Sequence, residues 1–244
     1  MLKSILTSYS LLFGIITFGQ DLPTEIQKGI EYLNVDDSEK ALKQFEKAVK
    51  KYPTNAYAYL YLGEAKSRLN PFKGWEDFNK AIELDSTIAE AYAGRGSSFY
   101  VKNNDYRAAL ADYDKAISLN PGDWALHYNR SSLRFEMKDY QGCIEDVDMT
   151  FTLFEDAEQS IYITKAQALN KLGKSEEALF LINKYEEMFS SDYDFRYYTA
   201  RGEIKLALND KKGACADLIV AKNICERIEF EFTEDLINAL KLFE

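Results

Sequence analysis

The side chains that could do acid–base, metal or nucleophilic chemistry are few and scattered. The 244 residues include one histidine, His127, and three cysteines, Cys143, Cys215 and Cys225. A lone imidazole without paired cysteines has no zinc spacing. Gly94-Arg95-Gly96 is not a phosphate loop, because no strand precedes it and no GK[ST] follows. Neither G-x-S-x-G nor H-E-x-x-H occurs. Asp112 and Asp114 stand two apart on a helical stretch, so their carboxylates do not face each other. Cys215 and Cys225 are ten residues apart. On one helix that is about 15 Å, while a disulfide needs Cα atoms within roughly 7 Å; no bridge is expected unless the helix breaks. One charged pattern recurs. Arg95, Arg130 and Arg201 are followed 16 or 17 residues later by Asp112, Asp146 and Asp217. Two readings follow: an ion pair that fixes the register of two helices, or an arginine that binds a ligand carboxylate.

The elements that position these residues repeat. Ala41, Gly74, Ala109, Cys143, Ala178 and Ala214 are spaced 33, 35, 34, 35 and 36 apart. A second column follows seven residues later at Ala48, Ala81, Ala116, Thr150, Tyr185 and Ala221. A third lies upstream at Gly29, Gly63, Gly96, Ser131, Ala166 and Gly202. Each period holds two helical patterns. Ala109, Tyr113, Ala116 and Ile117 form one helical face, and Pro121 ends it. Ala89 to Val101 is a second amphipathic run, joined to the first by the polar turn Lys102 to Asp105. Small residues stand where helices cross closely, and aromatics such as Tyr32, Phe45, Phe78 and Tyr92 fill the space beside them. A single pair leaves an apolar face uncovered, and stacking the next pair buries it.

The first period carries Gly29, Tyr32, Ala41, Phe45, Ala48 and Pro53, and the third reads AYAGRGSSFYVKNNDYRAALADYDKAISLNP. These residues resemble the tetratricopeptide repeat (TPR) family. The likeness runs from about residue 22 to 225. It weakens in period four, with His127 at an aromatic position, Ser131 for Gly and Thr150 for Ala, and in period five, with Ala166 and Tyr185. It implies an all-α, right-handed helical-hairpin solenoid with repeats at about 22–55, 56–88, 89–123, 124–158, 159–194 and 195–225. His127 then packs against a neighbouring helix. The family's concave groove is lined by the first helix of each pair. Carried onto this sequence, the exposed positions are Tyr57, Glu64, Arg68, Ser97, Tyr100, Tyr128, Ser132, Gln167, Asn170 and Lys171. These imply a protein or peptide ligand, with no cofactor, no metal and no reaction. The family's clamp for chaperone tails needs Lys and Asn in the first helix, where this chain has Ile26 and Ile30.

The ends are distinct. Residues 1–19, MLKSILTSYSLLFGIITFG, place Lys3 before an apolar run that closes on small residues, the layout of a signal peptide cut after Gly19. The run is short of the about 20 apolar residues of a spanning helix, so no stable membrane insertion is expected after cleavage; an uncleaved anchor or a packed first helix is the other reading. Export to the periplasm or beyond follows. Residues 226–244 read as an extended connector, Arg227 to Phe232, then a capping helix from Thr233 with an apolar stripe of Leu236, Ile237, Leu240 and Phe243. A net charge of −10 argues against nucleic acid. The expected function is an envelope scaffold or assembly factor; the alternatives are self-association or an accessory subunit of an envelope enzyme or transport complex.

Overall fold

A computed structural model describes residues 22–103, 105–154, 159–188, 195–227, 237–239 and 241, with side chains except at 99–103, 159 and 185–188. The leader read at residues 1–19 and the connector read at Arg227 to Phe232 fall outside the described residues, apart from Arg227 itself. Among the described residues there are twelve long helices in six consecutive pairs. They are α1 (Thr24–Asn34) and α2 (Ser38–Lys51), α3 (Ala56–Leu69) and α4 (Trp75–Leu84), and α5 (Ala89–Asn103) and α6 (Tyr106–Leu119). Then come α7 (Trp124–Glu136) and α8 (Tyr140–Leu153), α9 (Gln159–Lys171) and α10 (Ser175–Met188), and α11 (Phe195–Ala207) and α12 (Lys211–Arg227). The chain divides into two compact units, the first ending at Leu133 and the second starting at Arg134.

In the first unit α1 packs on α2, α3 on α4 and α5 on α6, the second helices α2 and α4 pack on the next pair, and the first helices touch one another, α1 on α3 and α3 on α5. The small columns make this possible. Ala41, Ala48, Ala81, Ala109 and Ala116 are all fully buried. A methyl group at Gly63 would sit 3.0 Å from both the Gly74 carbonyl oxygen and the Phe78 ring, so α3 and α4 cross backbone to backbone. At Gly29 a methyl would run into the Phe45 ring. Phe45 is itself fully buried and stacks on Tyr61 with centroids 5.6 Å apart, which ties the first pair to the second.

The second unit follows the same plan. α9 packs on α10, α11 on α12, and the first helices α9 and α11 touch. Cys143, Thr150, Ala166, Ala178, Ala214 and Ala221 are fully buried. A methyl at Gly202 would lie 2.8 Å from Leu218 Cγ. Residues 237–239 are helical, and Ala239 is buried with Phe195, Leu218, Ala221 and Cys225. Of the expected capping stripe only Ile237 is described, and it is 38% exposed while Ala239 is buried; Leu236, Leu240, Phe243 and the start at Thr233 lie outside the described residues.

The turns inside the pairs share a device. Asp36, Lys138, Asn209 and Gly173 adopt left-handed backbone with φ of 57°, 62°, 62° and 78°. Each stands just before the residue that begins a second helix. After three of them that residue is an aspartate whose carboxylate accepts a backbone N–H: Asp37 from Lys40, Asp139 from Gly142 and Asp210 from Gly213, at 2.9 to 3.1 Å. Asp105 caps α6 through Ala108 in the same way. None of the three cysteines is joined in a disulfide, as the helical spacing of Cys215 and Cys225 predicts.

Candidate functional site

A column of buried aspartates runs through the second helices. Asp77, Asp112, Asp146 and Asp217 are between 2% and 8% exposed. Each is met by a cation from the first helix of its pair. Arg95 donates from Nε and Nη2 to the two oxygens of Asp112 at 2.9 and 2.7 Å. Arg201 holds Asp217 in the same fork at 2.9 and 2.8 Å, with Lys205 adding a contact at 2.7 Å. Lys66 reaches Asp77 at 2.6 Å, and Arg134 reaches Asp146 at 3.1 Å. The cation therefore comes from either of two positions one turn apart, just before the small column or three residues after it. The sequence reading saw only the first. Arg130, in the first unit, pairs with Asp114 at 2.6 Å. These forks join the two helices of a pair and bury the aspartate, which is the register-fixing arrangement.

The predicted groove residues divide. Glu64 and Arg68 come together on α3: Arg68 Nη2 and Nε donate to Glu64 Oε1 at 2.7 and 3.1 Å, and Arg68 Nη1 donates to the Leu33 carbonyl at 3.2 Å. Tyr57 lies two turns before Glu64 and packs, half-buried, on the core of the first unit. Three residues expected on an exposed face are instead buried: Glu64 at 4%, Ser97 at 8% and Tyr128 at 7% exposure. α3 and α5 are covered by their own mates and by neighbouring first helices, so less surface around Glu64 and Ser97 is open than a helix pair alone would leave. Ser97 shares a 2.5 Å hydrogen bond with the Tyr113 hydroxyl across the pair. The Tyr128 carbonyl accepts from Ser131 Oγ and Ser132 Oγ at 2.7 and 3.3 Å. The Tyr100 side chain is outside the described residues. In the second unit Gln167 is half-buried. Asn170 Oδ1 accepts from Ser175 Oγ at 2.8 Å, and exposed Lys171 lies 3.7 Å from Glu203 on the next first helix. His127 is buried, with Nε2 3.3 Å from the Pro121 carbonyl.

Electrostatics single out the α3 face. Burial pushes the Glu64 carboxyl up to about 7, against the opposing pull of Arg68. Glu90 and Asp123 are also raised, in each case mainly by burial, and they repel one another. Tyr61 is raised by burial and by the carboxylates of Glu64 and Glu90, and Tyr57 by burial and by Glu90 and Asp85. Tyr61, Glu90 and Asp123 were missed by the sequence reading. A signal was present: Tyr61 follows Tyr57 by one turn, and Glu90 is the counterpart of Tyr57 one period on. Among the described residues no group of three or more His, Cys, Asp or Glu is placed to hold a metal ion, and no helix is long and apolar enough to cross a membrane.

A tetratricopeptide-repeat family model matches residues 26–66 and 98–142. The TPR repeat-containing protein MJ1428 of Methanocaldococcus jannaschii is 22% identical over 99% of this chain and 38% of its own length. The chain spans well under half the length of the curated relatives it matches first. Among solved structures, PilW, a type IV pilus biogenesis factor, superposes with a TM-score of 0.72 at 18% identity, over 88% of this chain and 96% of PilW. YrrB, a TPR protein with an unusual peptide-binding site, gives 0.62 at 20% identity, over 81% of this chain and 97% of its own. Repeat columns, helical pairs and the matched family model identify tetratricopeptide repeats in this chain, and the likeness to these solved structures gives it their all-α solenoid fold.

Proposed function

We propose that the chain is a non-enzymatic scaffold or assembly factor that binds a peptide or protein segment along the inner faces of its first helices. One observation carries this reading. On α3 the small column and the Lys66–Asp77 pair hold the helix to its mate, yet Tyr57, Glu64 and Arg68 form a separate polar and aromatic row that the crossing does not use. Tyr and Arg are frequent anchors of protein interfaces. The likeness to YrrB, with its peptide-binding site, and to the biogenesis factor PilW supports the same reading. The net charge of −10 favours a protein partner over nucleic acid. The layout of residues 1–19 supports export and an envelope role, with Gln20 as the first residue of the mature chain. Affinity capture from the native envelope tests both. Partners held by the wild-type chain should be lost with a Tyr57→Ala, Arg68→Gln bait, and equal capture by the two baits overturns the groove reading. N-terminal sequencing of the recovered chain checks the cut.

A second reading, self-association, is favoured by Phe180. Its side chain is 74% exposed on α10, in an open cleft lined also by Ile144, Leu169 and Leu181 of the second unit. Light scattering of the wild type and of Phe180→Ser separates the readings; a concentration-independent monomer removes this one.

A further inference from the structure

The α3 face has an unmet hydrogen-bonding demand. Glu64 is 4% exposed, and both of its hydrogen bonds from Arg68 fall on Oε1. Oε2 is buried without a partner. A buried polar atom left in this state costs free energy that a ligand donor recovers. No Arg68 N–H reaches Oε2. Arg68 Nε and Nη2 are committed to Oε1, and Nη1 to the Leu33 carbonyl beside Asp36.

The surroundings carry the same sign. Tyr61 stands in the field of both Glu64 and Glu90, and Tyr57 in that of Glu90. Glu90 in turn feels Asp123, the carboxylate that accepts the Ala125 N–H at the start of α7. Among the described residues neither Glu90 nor Asp123 forms an ion pair with a lysine or arginine; the His127 ring is the basic group that lowers Asp123. Glu90 and Asp123, half-buried and without a lysine or arginine partner, make this strip complementary to an ammonium or guanidinium group, with Tyr57 and Tyr61 beside Glu90.

We propose that this face of the first unit receives a lysine or arginine side chain of a basic partner segment, whose N–H groups donate to Glu64 Oε2 while Glu90 supplies a second carboxylate and Tyr57 a flanking ring. The proposal rests on the groove reading above and adds the chemistry of the ligand. Asp123 extends the acidic strip, so the segment is expected to carry further basic residues.

The test uses the full chain and three fluorescein-labelled peptides: one rich in Lys and Arg, one rich in Glu, and one of Ser and Gly. Anisotropy titrations at low and high salt, at a pH well above the value of about 7 at which Glu64 loses its proton, read their binding. The basic peptide should bind in preference, more weakly at high salt. Glu64→Gln and Glu90→Gln should each weaken it by about tenfold, and Glu176→Gln with Glu177→Gln, an exposed pair on α10, should leave it unchanged. If Glu64→Gln fails to fold by circular dichroism, Glu90→Gln alone decides. Equal loss in the α10 control means general attraction to an acidic chain and overturns the proposal. Binding of the acidic or neutral peptide instead, lost in Arg68→Gln, overturns it but leaves the groove reading intact. Failure of every peptide overturns it as well, and the envelope capture then judges the groove reading separately.

Discussion

Arg95 grips Asp112 with two hydrogen bonds, Nε to Oδ2 and Nη2 to Oδ1, so the guanidinium plane and the carboxylate lie fork to fork. Arg95 Nη1 also donates to Asn79 Oδ1 at 2.8 Å, on the second helix of the preceding pair. One side chain thus ties α5 to both α6 and α4. Arg95→Ala would strand a buried carboxylate and is expected to cost about 3 kcal/mol. Arg95→Lys keeps the charge but loses the two-point grip, and should cost less. Urea denaturation measures both. Peptide affinity of the folded variants should not change; a loss of binding without a loss of stability would revive the reading of Arg95 as a ligand receptor.

Glu64 sets a pH dependence. Burial holds it protonated in the folded chain up to about 7, against an ordinary value of 4.5. Between those values the folded chain binds a proton that the unfolded chain has released, so stability falls as pH rises through the window, by on the order of 3 kcal/mol in all. Above it the contribution is flat. Asp77, Glu90 and Asp123 are raised too and tilt the curve the same way. The difference between wild type and Glu64→Gln isolates Glu64. Parallel stability curves from pH 4.5 to about 7 would contradict the assignment.

The glycines make a paired prediction. At Gly63 a new methyl would press on the Gly74 carbonyl and the Phe78 ring, whereas at Gly122 it would meet nothing within 4 Å. Gly63→Ala should therefore cost about 1–3 kcal/mol by overpacking. Gly122→Ala should be neutral or slightly stabilising through the unfolded chain. Thermal melts of the two variants check this, and equal shifts would refute the backbone-crossing account.

The thiols should react in order. Cys143 and Cys225 are fully buried, and the Cys143 thiol is pushed up to about 12 by burial and by Asp146 and Asp139. Cys215 is partly exposed. Native labelling with iodoacetamide, read by peptide mass spectrometry, should modify Cys215 first and the others only on unfolding.

Much of the fold was legible because its cause is local. Gly29, Gly63, Ala109 and Ala116 recur at fixed spacing since each marks a crossing that only a small side chain permits. The candidate site was legible only in part. Tyr57 and Arg68 could be placed on a helix face by counting. Whether Glu64 and Ser97 stay open depends on how first helices cover one another, which is a tertiary property. The partner of Asp77 was missed for a related reason. Lys66 and the arginine before a small column are one helical turn apart, so either can reach the same aspartate, and a rule of fixed spacing finds only one of them.

The left-handed residue and the capping aspartate between paired helices have a consequence for synthesis. Both act within a few residues, so the bend of a pair is specified before any distant part of the chain exists. A pair is able to close once its second helix leaves the ribosome, and each later pair finds a preformed apolar surface to settle on. Lys138 is the costly member of this set, since a side chain in left-handed backbone is strained where glycine is not. Lys138→Gly should speed closure of the fourth pair, and the order in which nascent chains of increasing length gain protease resistance would show it.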